Sequence, residues 1–578
     1  MTSLQQPPSP LTQWQRRLLW ITFLFVAVTR IYAMADTLWD WDEVQFSAGV
    51  REFNVGHPFH HPHPPGFPLY MLAAKIARLA VPDDFRACQT VTILAACALF
   101  PLAFFLAREL RFPFLTSYLG ALLFVFFPNI WFYGGTAFSD IAGIATSLAA
   151  ALLLFRGCWS ERAYLGGAVL LGVAAGIRPQ AVLLGAAPFL VASYVQLRRS
   201  WTRVAIGCAI VAAMVIASYA GAALSSRSIE AYRAELGLVR AWVRSVDSFL
   251  SPQRPPLLTL ADEFLLRPMG GNRLPIVVCT LAVVGMLRRR MSVGLALATL
   301  FPFALFAWLM LDYHSVHRYS TAYVLLWALL AAHGASALAD VGAGFSPSIG
   351  RLKSAATSVL LALIIGRAAY WTLPALREVR GSDSPTFAAM QWIRANVPPR
   401  QPVWVHMSLE PFSEYFLYDR DVRLVKSLTE LPRVGVGARD FFATEGLLPA
   451  ATFVSRRERR RLWEIARHRY FETSVVPVSN VWGFGDGWYS EESDGGIVWQ
   501  WMGAKSEALL PVMNARARLM LTLTAAPNIT PTVEVRLNGA TVDRFTTGGT
   551  PVQREWIVTP RHDGPNRLEL TSSVTTRV

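Results

Sequence analysis

Apolar positions along this chain come in two textures. Up to about Leu373 they form long unbroken runs; beyond it they shorten and alternate with polar residues. Eleven long runs, at 18–34, 87–107, 114–133, 141–155, 163–177, 181–197, 204–224, 274–287, 291–311, 319–338 and 355–373, approach the length a helix needs to cross a ~30 Å hydrocarbon core. Residues 67–81 are equally helical in pattern but contain Lys75 and Arg78, so an interfacial helix is expected there. A long hydrophilic segment, 225–273, interrupts the spans with a helical stretch at 228–250 and a turn rich in proline.

The remainder reads differently. PTFAAMQWIRAN at 385–396 has helical amphipathicity and VWVHM at 403–407 is strand-like, which predicts an α/β subdomain. From about Val481 short alternating segments follow, among them TVEVRLNGATVDRF, whose Asn538-Gly539 suits a type I′ hairpin. A small β-sandwich is expected at this end. The predicted fold is a polytopic α-helical membrane protein of about eleven transmembrane helices (1–375), then an α/β subdomain (376–480) and a β-sandwich (481–578), the last two extracytoplasmic.

Composition agrees: 53% of the 578 residues are hydrophobic and the mean hydropathy is +0.35, which excludes an ordinary soluble protein. A net charge of +15 would point to nucleic acid in a soluble chain. Here the basic residues gather at alternate ends of the runs, at Arg16/Arg17, Arg108/Arg111, Arg156/Arg162, Arg198/Arg199/Arg203, Arg288/Arg289/Arg290 and Arg351/Lys353. That is the positive-inside pattern. It predicts a cytoplasmic N-terminus, an extracytoplasmic C-terminal region and membrane lipids as partners, with no nucleic acid. The five cysteines lie in or beside apolar runs and suggest neither a disulfide framework nor a thiolate metal site. No convincing small-residue cleavage site follows the first run, which is expected to be retained as a helix.

On that topology residues 37–70, TLWDWDEVQFSAGVREFNVGHPFHHPHPPGFPLY, lie just outside the membrane. Asp40, Asp42 and Glu43 fall within four residues, and His57, His60, His61 and His63 are threaded among prolines. Desolvating a carboxylate is costly, so acids in a stiff loop at a membrane surface need partners or a purpose. Asp42 can take a proton from an attacking hydroxyl; the alternative is a solvated loop charge. Glu43 is either its helper or an acid favoured at a helix start. Asp140, behind Ser139 at the start of a span, is either a helix cap or a second functional acid facing Asp42. His57 and His61 are weak candidates for holding a divalent cation, although the spacing matches no metal motif. His63 better suits a phosphate or hydroxyl. Arg178, at a Gly-Ile-Arg-Pro break, and Arg318, which opens a span with Tyr319, sit on the outer side, where positive-inside bias does not explain them. Either can serve a phosphate with bidentate donors or anchor lipid headgroups.

The stretch Asp42-Glu43-Val44-Gln45-Phe46, followed by His63-Pro64-Pro65, resembles the first outer loop of the protein O-mannosyltransferases. It is also similar to that of the aminoarabinose transferases of lipid A. Both groups are GT-C glycosyltransferases, polytopic enzymes that use polyprenyl-phosphate sugars. Ser139-Asp140, residues 172–179 and Arg318-Tyr319 extend the resemblance over roughly 18–373. The tail, with Trp488-Tyr489 and residues 499–503, resembles only loosely the carbohydrate-binding-like ends of some bacterial members. The resemblance implies a GT-C-like catalytic region in a bacterial plasma membrane. It implies Asp42 as catalytic base with Glu43 beside it and Asp140 as a second acid lining the acceptor site. His63, Arg318, Arg178 and Tyr319 would then face the lipid phosphate. Gln45 stands where the mannosyltransferases usually carry His, and His61 where many carry Asp, so mannose is not implied.

The expected reaction is a single inverting displacement outside the membrane. Asp42 accepts the proton of a glycan, lipid or protein hydroxyl as it attacks the anomeric carbon, and polyprenyl phosphate leaves against fixed cations. Phosphate is a fair leaving group, so the chemistry requires no cofactor, and a divalent cation is left open. Two other classes keep a place. A transporter or flippase of a lipid-linked sugar would set ionisable residues near the bilayer midplane and pair broken helices. A non-catalytic glycan-binding membrane subunit would not need Asp42.

Overall fold

The structure is a computed structural model, and it describes residues 6–56, 60–246, 248–252, 254–269, 274–288, 290–310, 316–341, 350–426, 431, 441–444, 451–455, 457–468, 471–478, 483–494, 497–510, 516–561 and 566–575. The chain forms two compact units. One comprises Met1–Asp383 and Arg456–Arg469, the other Ser384–Ser455 and Tyr470–Val578.

The first unit is helical: α1 (Gln13–Tyr32), α2 (Trp41–Arg51), α3 (Pro68–Arg78), α4 (Asp84–Glu109), α5 (Phe114–Val125), α6 (Pro128–Tyr133), α7 (Ser139–Arg156), α8 (Glu161–Ile177), α9 (Leu183–Leu197), α10 (Trp201–Ser225), α11 (Ile229–Ser245), α12 (Leu257–Leu265), α13 (Leu274–Leu287), α14 (Met291–Leu309), α15 (Val316–Val341) and α16 (Gly350–Gly381). Over the described residues each of the eleven apolar runs is mostly helical. Among the described residues seven helices are long and apolar enough to cross a membrane, or eight if Leu257–Met269 and α13 make one bent span. The other runs are shorter or more polar. The 114–133 run divides because Phe127 is extended ahead of Pro128, which opens α6 at its first position. α8 has 17 residues, and α1 contains Arg16, Arg17 and the fully buried Arg30.

α4 is the hub, packing against α1, α2, α3, α5 and α7. On the far side α13 and α15 meet backbone to backbone at Gly285 and Gly334, where a Cβ on either residue would strike a carbonyl of the other helix. That contact fixes α15, which carries Arg318 in its first turn. The helix expected at 67–81 is α3. It buries Tyr70, Met71 and Ala74 and exposes Leu72 and Ile76.

The second unit opens on α17 (Pro385–Asn396), capped by Ser384, whose side chain accepts from the Phe387 amide. Strands β1 (Val403–His406), β2 (Val422–Val425), β3 (Phe441–Thr444), β4 (Ala451–Val454) and β5 (Glu472–Pro477) form a sheet in the order β2-β1-β3-β5-β4, with helix α18 (Glu410–Phe416) between β1 and β2. Helix α19 (Arg459–Ala466) lies between β4 and β5 in sequence but belongs to the first unit. Next come β6 (Gly483–Phe484), β7 (Trp488–Asp494), β8 (Ile497–Met502), β9 (Lys505–Leu510), β10 (Ala517–Leu523), β11 (Thr532–Leu537), β12 (Ala540–Thr546), β13 (Val552–Val558) and β14 (Asn566–Ser572). The sheet β12-β11-β14-β9-β6 turns Val533, Val535, Leu568 and Leu570 toward Leu519, Leu521 and Trp556 of the β10-β13 pair. This is the sandwich that the alternation predicts. Asn538 and Gly539 both have positive φ, 53° and 84°, as a type I′ turn requires.

Candidate active site

The site begins with how α2 starts. Asp40 is its N-cap and accepts from the Asp42 amide at 3.2 Å. Glu43, three residues in, turns back so that its Oε2 accepts from the amides of Trp39 (2.8 Å) and Asp40 (3.2 Å), completing a capping box. Its other oxygen accepts from the Ala137 amide at 2.9 Å, tying α2 to the segment that enters α7. Glu43 is completely buried, and burial pushes its carboxyl up to about 7 against the pull of the three amides. Committed to the backbone, Glu43 leaves Asp42 to face Arg318 and His63.

From Asp42 the charges alternate in sign. Asp42 Oδ2 lies 2.5 Å from Arg318 Nη1, and Arg318 Nη2 lies 3.3 Å from Asp140 Oδ2. Asp140 Oδ1 is 3.0 Å from Arg178 Nη2, and Arg178 Nη1 donates to Ser139 Oγ at 2.9 Å. Arg318 lies over the Phe138 ring at 4.6 Å and Arg178 over the Phe67 ring at 5.6 Å. On the other flank His63 Nε2 approaches Asp42 Oδ2 at 4.0 Å, and its Nδ1 is 2.8 Å from Gln45 Oε1. The amide oxygen can only accept, so Nδ1 carries the proton and Nε2 faces Asp42. The run is open at one end: the side chains of Asp42, Arg318 and His63 are 18%, 19% and 29% exposed, against 4% for Asp140 and 8% for Arg178. Burial by itself would raise the Asp42 carboxyl, but Arg318 above all, with His63 and Arg178, outweighs it and holds Asp42 down at about 2. His63 sits below the usual imidazole value because it is buried, and Asp42 opposes part of that shift.

Asp140 is not the cap of its helix. Phe138 occupies the N-cap of α7 without a side-chain bond, and the Asp140 carboxylate is spent on two guanidiniums.

Several residues that build the site carry no signal in a motif. Along one face of α4, Arg86 donates to the Ala35 carbonyl (2.8 Å), Gln89 to those of Ala35 (2.9 Å) and Gly135 (2.8 Å), and Thr92 to that of Phe138 (2.9 Å). Gly135 allows the close approach, since a Cβ there would collide with Ala33. The legible trace was polar residues at every third position, 86, 89 and 92, in the first half of α4. The α19 segment reaches the same region. The Tyr133 hydroxyl donates to the Ala466 carbonyl at 3.2 Å, His468 packs edge-on to Trp39 at 5.0 Å, and buried Arg467 pairs with buried Glu263 of α12.

Other expected residues go elsewhere. The Tyr319 ring packs on Phe306 at 5.7 Å, while Tyr319 stays within electrostatic reach of Arg178. The backbone of His61 pairs with Asn54, and His60 Nδ1 lies 3.1 Å from Glu235 of α11. His57 lies outside the described residues, and among those described no group of three or more His, Cys, Asp or Glu is placed to hold a metal ion.

No protein-family model and no curated protein matches this chain. Solved structures do. ArnT from Cupriavidus metallidurans bound to undecaprenyl phosphate is similar at 11% identity, with a TM-score of 0.47, over 72% of this chain and 86% of that one. The oligosaccharyltransferase of Archaeoglobus fulgidus in the apo form is similar at 12% identity, TM-score 0.44, over 75% and 69%. Arabinosyltransferase EmbB from Mycobacterium smegmatis is similar at 11% identity, TM-score 0.42, over 99% and 64%. The likeness is a distant one in the course of the chain. At these identities it assigns no residue, and the functional reading rests on the site itself.

Proposed function

We propose that this protein is a multi-pass membrane glycosyltransferase that moves a sugar from a polyprenyl-phosphate donor to an extracytoplasmic glycan, lipid or protein hydroxyl in one inverting displacement. The observation that carries the reading is the run His63–Asp42–Arg318–Asp140–Arg178, open at its Asp42 end and closed at its Arg178 end. Asp42 and Asp140 lie in the first turns of α2 and α7, Arg318 near the start of α15 and Arg178 just past the end of α8. Charges gathered at helix ends suit an enzyme at the membrane surface better than a transporter with ionisable groups at mid-span.

In this reading the donor phosphate takes Arg318, displacing Asp42, and its negative charge favours protonation of His63, whose Nε2–H then donates to it. Once released from the cation, the Asp42 carboxylate regains the basicity that Arg318 suppresses and accepts the acceptor's proton. The acceptor oxygen bonds to the anomeric carbon as the bond from that carbon to the phosphate oxygen breaks. The polyprenyl phosphate departs with the electron pair, its added charge held by Arg318 and His63. Asp140 and Arg178 are positioning residues: both face each other, and Asp140 keeps Arg318 from following its new partner. Glu43 is likewise a positioning residue, and Tyr319 stands next to Arg318 at the same helix start. The basic turns face the cytoplasm of a bacterial plasma membrane and the C-terminal region lies outside it. No step needs a cofactor.

The test is transfer from radiolabelled polyprenyl-phosphate hexoses and pentoses by purified wild type and Asp42→Asn, each with and without EDTA. Transfer by wild type and not by the variant supports the reading, and the chelator decides the cation. Saturable donor binding that is the same in both proteins, with no turnover of any donor, would sink it.

A further inference from the structure

Away from the charged run, a groove of about 640 Å³ lies between α1, α5, α6 and α16. Ile21, Phe25, Val28 and Tyr32 line it from α1 at helical spacing, and Ile365, Ala369 and Leu373 line it from α16. The hydroxyls along it are satisfied by the protein: Thr22 and Tyr118 bond each other at 2.8 Å, Thr29 donates to the Val26 carbonyl at 2.7 Å, and Tyr32 accepts from Arg377. The wall is rigid: Phe126 and Trp131 pack edge to face at 4.9 Å, and Trp131 Nε1 donates to the Thr29 carbonyl at 3.2 Å.

The α16 stripe continues past Leu373 to Arg377 and Arg380, and both reach Tyr32. Arg377 Nε donates to its hydroxyl at 3.3 Å, and Arg380 Nη1 to its carbonyl at 2.7 Å while lying over its ring at 4.8 Å. A third guanidinium, fully buried Arg30, stands behind the wall within 5.4 Å of the Phe126 ring centroid and 5.6 Å of that of Trp131. Among the described residues the three arginines meet carbonyls, a hydroxyl and aromatic rings: Val125, Tyr32, Phe126 and Trp131. One end of an apolar groove therefore carries two guanidiniums, Arg377 and Arg380, with Arg30 behind its wall.

We propose that this groove binds an anionic glycerophospholipid, one acyl chain lying between α1 and α16 and the headgroup phosphate held by Arg377 and Arg380. Length chooses the occupant. From Ile21 to Tyr32 is eleven residues, about 16 Å of helix at 1.5 Å per residue, and one leaflet supplies about half of the ~30 Å hydrocarbon thickness. A single acyl chain fills that depth with its phosphate at the level of the two arginines, as a chain longer than a leaflet would not. This site does not depend on the catalytic reading.

Native mass spectrometry of the full chain in detergent, titrated with phosphatidylglycerol, phosphatidylcholine or polyprenyl phosphate, tests the assignment. Wild type is expected to retain one phosphatidylglycerol in preference to the other two. Arg377→Gln/Arg380→Gln should weaken that binding by about 30-fold, the effect of two arginines near an anionic headgroup. Arg377→Lys/Arg380→Lys, which keeps the charge, should retain most of it and shows that the fold tolerates change there. Ala369→Trp, which fills the groove, should abolish binding with both arginines in place. Equal retention of phosphatidylcholine, tighter binding of polyprenyl phosphate, or unchanged binding in the Gln pair or in Ala369→Trp overturns the proposal.

Discussion

Asp42 Oδ2 lies 2.5 Å from Arg318 Nη1, and this contact sets the resting state of the site. A carboxylate held at about 2 is a feeble proton acceptor, so in the proposed reaction the base is masked until another anion claims the guanidinium. Asp42→Asn should therefore lower kcat by about 10²–10⁴ while donor affinity stays level or rises, because the internal competitor for Arg318 has gone. Single-turnover transfer and donor binding, measured side by side, check both halves. A variant that binds donor more weakly than wild type contradicts the masking argument.

Removing the cation should move the titration. In Arg318→Met the burial that raises Asp42 is no longer outweighed, so the acid limb of the kcat/KM profile shifts to higher pH. Transfer should also fall about 10²–10³-fold, the usual cost of a lost charge stabiliser. The stability sign follows from the depressed value. In wild type the Asp42 contribution is fully present above its unfolded value of about 3.9 and is lost as pH falls toward 2. The Tm difference between wild type and Arg318→Met should accordingly shrink below about pH 4.

Glu43 makes the opposite prediction. Its folded value, about 7, lies above the ordinary carboxylate value of about 4.3, so the stability linked to its protonation is present below about 4.3 and is lost as pH rises through 7. Glu43→Gln removes that dependence and turns an amide NH₂ toward one of three backbone donors, at a cost of about 1–3 kcal/mol. Thermal unfolding should show wild type ahead at low pH, with the gap narrowing between about pH 4.3 and 7. A gap independent of pH would mean that Glu43 is ionised throughout.

The Arg467–Glu263 pair should behave as a buried ion pair. Both side chains are less than a tenth exposed, so Glu263→Leu or Arg467→Met alone should cost about 3–5 kcal/mol by stranding a charge. Glu263→Leu/Arg467→Met together should recover much of the loss. Denaturation midpoints of the three variants decide it, and additive losses in the double variant would rule out direct pairing.

How far the sequence reached depended on the range of the interaction. The helix at Pro385–Asn396, the hairpin at Asn538-Gly539 and the helical runs were legible because periodicity and turn chemistry act over a few neighbours. Motif and charge placement singled out Asp42, His63, Asp140, Arg178 and Arg318, and the structure brings all five into one run. His61 was named from a cluster of histidines close in sequence, but its backbone pairs with Asn54 and no metal-holding group forms among the described residues, since closeness in sequence does not fix where a side chain ends.

Tertiary structure alone decided how those groups are used. In sequence Asp140 is equally well placed to cap α7, and only the arrival of Arg178 from the end of α8 and Arg318 from α15 converts it into an ion-pair bridge. Gln89 and Thr92 look like stray polar residues until two distant loops supply the carbonyls they satisfy. The reach of α19 back to Tyr133 and Glu263 has no trace in local pattern, because its partners lie 333 and 204 residues away in the chain. A chain's own periodicity records which face of an element is apolar; which charge meets which depends on packing between elements, and that is written only in three dimensions.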